Sequence, residues 1–225
     1  STHLWPLAAV CFDQPAPETA SFKMTEEEFR NEQSALERRV ACAYNELLAS
    51  LTDEQRILLK TAQFAWRNYF EKYERALKKQ LDQPVKVFYG IEDDERKTNV
   101  YRDTVLEVLE HRAMDLERWS QGCYGYLEPD ALEEAKKRLS QEMNLLEEAF
   151  GTNIYIMDES VRAPMQEAQD SWYAYFRSNM EFVKEVAKNG EAVRIAEELL
   201  QVQRMCSLTL LHKEGYVFFH REREE

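Results

Sequence analysis

Apolar residues recur at mostly three- and four-residue spacing through most of this chain, the period of a helix with one buried stripe. Phe29, Leu36, Val40, Tyr44 and Leu47 predict a first helix from about Thr25 to Ser50. Thr25 followed by Glu28 gives that helix a capping box, and Thr52 followed by Gln55 gives the next one the same. The second helix runs to about Gln80 through Leu58, Leu59, Ala62, Trp66, Tyr69, Tyr73 and Leu77, and Pro84 stops it. A third is expected over about 99–119, on Val105, Leu109, Arg112 and Leu116, ended by Gly122 in a left-handed conformation. Pro129 opens a fourth that lasts to Phe150. A fifth runs from about Ser160 to Lys188, with Pro164 tolerated in its first turn and Asn189-Gly190 closing it. A sixth covers about 191–213.

Part of this pattern occurs twice. Ala62-Gln63-Phe64-Ala65-Trp66-Arg67-Asn68-Tyr69-Phe70 and Ala168-Gln169-Asp170-Ser171-Trp172-Tyr173-Ala174-Tyr175-Phe176 share the skeleton A-Q-x-x-W-x-x-Y-F, 106 positions apart (Trp66 to Trp172). A second echo pairs Arg112 with Arg204 and Leu116 with Leu208. Two elements recurring in one order indicate a duplicated unit, which fixes architecture before other signals do. The expected fold is therefore all-α: two tandem three-helix modules packed as an elongated helical bundle. Residues 1–23 form an extended arm with Pro6, Pro15 and Pro17. Module 1 spans 24–120, with an insertion at 83–98. Module 2 spans 121–225 and ends in an apolar tail, Tyr216-Val217-Phe218-Phe219.

Composition adds few connections and a strong charge. Six Gly and six Pro in 225 residues leave little turn-forming material. Lys and Arg total 29 against 42 Asp and Glu, a formal net charge of −13. Such a chain repels nucleic acid and anionic lipid and attracts basic proteins, although the same charge also serves solubility alone. No run approaches the ~18 apolar residues of a membrane span. Four cysteines, Cys11, Cys42, Cys123 and Cys206, have no C-x-x-C spacing for zinc. They permit two disulfides in an oxidising compartment, or thiols buried in helices such as those of Cys42 and Cys206.

Candidate chemistry is sparse. Gln63, Trp66 and Tyr69, and Gln169, Trp172 and Tyr175, lie on one face of their helices. They read as core anchors, or as an aromatic surface for a ligand. Arg112 and Arg204 are expected to bridge to the long helix of their own module in a structural role. His3, His111, His212 and His220 form no metal pair, and there is no phosphate loop or nucleophile elbow. Glu107, Glu110 and His111 share one region of the third helix and are the nearest thing to a metal site. The pattern leans away from catalysis and from any cofactor or metal. The insertion offers apolar Phe88 and Tyr89 beside acidic Glu92, Asp93 and Asp94, a loop suited to a basic partner's cleft or to a solvated linker.

Leu51-Thr52-Asp53-Glu54-Gln55-Arg56 leading into Leu59-x-x-Ala62-Gln63-x-x-Trp66-x-x-Tyr69 resembles the LprI-like lysozyme-inhibitor family. Arg112/Leu116, Arg204/Leu208 and Tyr44-Asn45-Glu46-Leu47-Leu48 resemble its other helices. The resemblance covers about residues 29–119 and, more loosely, 133–213; the tandem arrangement departs from the family's single module. A cysteine commonly follows the family's W-x-x-Y element, whereas Glu74 and Met180 occupy those regions here. The resemblance implies a helical exported protein, periplasmic in bacteria (a cytoplasmic location being the alternative). It also implies a non-enzymatic role: inhibition of a lysozyme-like glycosidase by occluding its cleft. Phe88, Tyr89, Glu92, Asp93 and Asp94 are the expected contacts. The alternative is an immunity or assembly-scaffold protein using the groove between modules; a third reading is an enzyme employing scattered carboxylates and His111.

Overall fold

The computed structural model describes residues 24–81, 94–124, 133, 137 and 159–213. They contain five α-helices and, among the described residues, no strand: α1 (Glu26–Ala49), α2 (Asp53–Leu81), α3 (Asp94–Ser120), α4 (Glu159–Ala187) and α5 (Gly190–Lys213). The helix expected over 129–150, the arm at 1–23 and the tail after 213 lie outside the described residues, except for residues 133 and 137. No described helix is long and apolar enough to cross a membrane.

Both capping boxes form. The Thr25 hydroxyl accepts from the Glu28 amide at 3.1 Å, while the Glu28 carboxylate takes the Thr25 N–H. Thr52 and Gln55 exchange the same two bonds at 3.3 and 3.1 Å, so the α1–α2 turn satisfies orphan donors locally. Gly122 has φ of +81°, the left-handed residue expected after α3.

Two boundaries differ from expectation. α3 begins at Asp94 rather than near 99, so the C-terminal part of the 83–98 insertion is helical. Pro164 is the sixth residue of α4, in its second turn, and removes the N–H that would meet the Ser160 carbonyl. Between α4 and α5 the left-handed residue is Lys188 (φ 47°), just before the Asn189-Gly190 pair expected to close α4. Asn189 caps α5 by accepting from the Glu191 and Ala192 amides, and Gly190 is already helical. A side-chain cap at Asn189 fixes where α5 starts, which leaves Lys188 as the residue that must turn the chain.

The most extensive packing is between α2 and α4, the helices carrying the A-Q-x-x-W-x-x-Y-F skeleton. Their facing residues run in opposite order, with Gln63 near Asn179 through Arg112 and Tyr69 stacked on Tyr175, so the two helices are antiparallel. α3 lies along α1 in the same direction: Tyr101 meets Phe29 and Glu117 meets Arg39. α5 packs on α4 and, more lightly, on α3. Leu47, Leu59, Leu77, Leu109, Leu116 and Phe182 are fully buried, each contributing about 1.5–3 kcal/mol relative to exposure. Cys42 is exposed and Cys123 half-buried, and both are free thiols. Neither alternative, a disulfide or a buried thiol, holds at Cys42, which projects from the outer side of α1, opposite Val40, Ala43 and Leu47.

Candidate functional site

The residues singled out by the sequence converge where α2 and α4 cross-connect with α3 and α5. Trp66 and Tyr69 on α2 and Trp172 and Tyr175 on α4 are all buried. Each indole stacks on the phenylalanine one turn later, Trp66 on Phe70 at 5.5 Å and Trp172 on Phe176 at 5.3 Å between centroids. Between the helices, Tyr69 and Tyr175 stack at 6.0 Å with only 7° between ring planes. The aromatics are core anchors, not a ligand surface.

Two arginines close this layer, and each holds both long helices. Arg112, on α3, donates from Nε and Nη2 to Gln63 Oε1 on α2, at 2.9 and 2.8 Å. Its Nη1 donates across to α4, to Asn179 Oδ1 at 2.8 Å and to the Tyr175 hydroxyl at 3.5 Å. Arg204, on α5, donates from Nε and Nη2 to Gln169 Oε1 on α4, at 3.3 and 2.8 Å. Its Nη1 reaches across to the Tyr69 hydroxyl on α2 at 3.1 Å. The expected bridge to the long helix of the same module is present at both arginines, with Gln63 and Gln169 as the acceptors. The second arm, from each arginine to the other long helix, was not anticipated.

Both guanidiniums are buried, and no carboxylate among the described residues hydrogen-bonds either one. Aromatic faces take that role. Arg112 lies 5.8, 5.5 and 5.4 Å from the ring centroids of Trp66, Trp119 and Tyr175, and Arg204 lies 5.5 and 4.7 Å from those of Tyr69 and Tyr73. Burial works against the Arg204 cation, but the Tyr69 and Tyr73 phenols outweigh it and its pKa moves up. Burial likewise pushes the Tyr69 and Tyr175 hydroxyls upward, so both stay protonated.

A second polar knot sits beside the first. Asp115 is buried and accepts from Arg118 Nη2 at 3.2 Å and from Gln203 Nε2 at 3.2 and 3.3 Å, linking α3 to α5. Burial raises its pKa against the pull of Arg118 and Arg112. Asp115, Asn179 and Gln203 escaped the sequence reading. Their signal was visible, since each polar side chain falls on an apolar stripe, Asn179 one turn past Tyr175 and Asp115 three residues past Arg112.

The remaining candidates are scattered. Phe88, Tyr89, Glu92 and Asp93 lie outside the described residues, and Asp94 is the first residue of α3. Glu107 and His111 approach each other in the interior, with Glu110 exposed. Among the described residues no group of three or more His, Cys, Asp and Glu side chains could hold a metal ion. His111 is buried rather than presented to a substrate. Among the described residues the large apolar side chains left exposed are Phe64 (78%), Ile57 (64%) and Tyr173 (49%), on the outer faces of α2 and α4. Comparison with family models, curated proteins and solved structures returns no match for this chain.

Proposed function

We propose that the chain is a non-enzymatic, exported protein-binding module that blocks the cleft of a basic, lysozyme-like glycosidase. We further propose that it is built from two copies of one three-helix unit, 24–120 and 121–225. The observation that carries this reading is that the motif residues Gln63, Trp66, Tyr69 and Arg112, with Gln169, Trp172, Tyr175 and Arg204, are spent on holding α2 and α4 together. Residues consumed in that way form a scaffold, and recognition then falls to outer faces and to the acidic insertion. The crossed arginine bonds support duplication, because acceptors 106 positions apart, Gln63 with Gln169 and Tyr69 with Tyr175, take equivalent bonds from the two arginines in opposite directions. A charge of −13 favours encounter with a cationic target. Its two catalytic carboxylates would be covered, not altered.

Titrating the full chain against hen-type, goose-type and invertebrate-type lysozymes tests this. Inhibition of at least one is expected, with loss on deleting residues 86–97, which carry Phe88, Tyr89, Glu92, Asp93 and Asp94. Undiminished inhibition by that deletion removes the loop from the interface. Absence of inhibition across all three leaves the immunity or assembly-scaffold reading.

A further inference from the structure

The arginine layer makes no use of Glu107 and His111, which stand one turn apart on α3. Their side chains are 10% and 11% exposed, and Glu107 Oε1 lies 3.8 Å from His111 Nε2. Asp103 and Glu110 act on Glu107 from α3 itself. On α2 the Tyr69 hydroxyl lies within its field, and that hydroxyl accepts from Arg204 of α5. α1 brings Arg39, which is paired with Glu117 and lies in the field of Glu110. Among the described residues the one ion-pair partner of Glu107 is therefore His111.

An acid and a base in contact ordinarily form an ion pair, but burial opposes both charges at once. Burial, joined by Asp103 and Glu110, pushes the Glu107 carboxyl up to about 7. Burial alone pushes the His111 imidazole down to about 4. In the unfolded chain at mildly acidic pH the carboxyl is ionised and the imidazole protonated, since their ordinary values are 4.5 and 6.5.

We propose that folding moves one proton from His111 to Glu107, so that the buried pair is neutral and its contribution to stability does not vary across mildly acidic pH. The step balances: carboxylate plus imidazolium become carboxylic acid plus imidazole, and nothing is exchanged with solvent. The signs follow from proton counts. Glu107, with its folded value raised, loses stabilising effect as pH rises from 4.5 towards 7. His111, with its folded value lowered, loses it as pH falls from 6.5 towards 4. Over the shared window, 4.5 to 6.5, the two slopes cancel.

The test uses urea denaturation of the full chain at fixed ionic strength between those pH values, with wild type, Glu107→Gln and His111→Gln. Relative to wild type, the folding constant of Glu107→Gln should rise with pH, approaching about tenfold per pH unit. That of His111→Gln should fall by a similar factor. A ratio independent of pH for either variant overturns the proposal. Nitrogen NMR of the wild-type imidazole near about pH 5.5 decides independently of whether the variants fold: a neutral ring supports the transfer, and a protonated ring overturns it.

Discussion

Arg112 and Arg204 hold corresponding places in the fold, yet their surroundings differ, most directly at one pair of positions on the long helices. Where Arg204 lies over the Tyr73 ring at 4.7 Å, Arg112 meets Asn179, 106 positions beyond Tyr73. Arg112 makes up the missing ring with Trp66 and Trp119 from its own side. A buried guanidinium can thus be held mainly by carbonyl oxygens or mainly by phenols, provided each N–H finds an acceptor or a π face. The two differ in what removal leaves behind. Losing Arg112 strands a buried amide, whereas losing Arg204 strands phenols and a half-buried Gln169, which tolerate solvent better.

That difference ranks the truncations. Arg112→Ala should cost about 3–4 kcal/mol, from the cavity among three rings plus the unmet Gln63 and Asn179 oxygens. Arg204→Ala should cost about 2–3 kcal/mol by the same reasoning. Denaturant midpoints measure both, and a larger loss at Arg204 would mean that the phenols matter more than the amide.

A smaller effect is expected at the position where the two surroundings diverge. Asn179→Ala leaves Arg112 Nη1 with only a 3.5 Å contact to Tyr175 and should cost about 1–3 kcal/mol. Tyr73→Phe keeps the ring under Arg204 and should cost below about 1 kcal/mol. Equal losses would show that the hydroxyl of Tyr73 carries as much as the Asn179 carbonyl.

The finest contrast concerns the stacked tyrosines. Tyr69→Phe removes a 3.1 Å acceptor and should cost about 1 kcal/mol, whereas Tyr175→Phe removes one at 3.5 Å and should cost less than half of that. Reversal of this order would locate the tighter crossed bond at Arg112.

Periodicity, capping boxes and the A-Q-x-x-W-x-x-Y-F echo made the helices and their buried stripes readable, because those signals act within a few residues along one helix. Leu59, Trp66, Tyr73 and Leu77 are buried where the stripe of α2 places them. The close of α4 near Asn189-Gly190 was legible, whereas the left-handed Lys188 was not, because glycine is only a preference for such backbone and the cap made by Asn189 fixes where α5 starts. Arg112 and Arg204 could each be matched to the long helix of their own module from sequence, since those helices are adjacent along the chain, but the glutamine acceptors came from the structure.

What the sequence determined alone was the set of amphipathic helices and the residues on their inner faces. The tertiary structure decided that α2 and α4 run antiparallel against each other, so that each arginine finds its second acceptor on the more distant long helix. It also decided that Glu107 and His111 lie together with only about a tenth of each side chain in water. The physical reason is reach: capping and helix periodicity act over three or four positions, whereas a buried guanidinium or carboxyl answers to whatever side chains packing brings within a few ångströms, however far along the chain they lie.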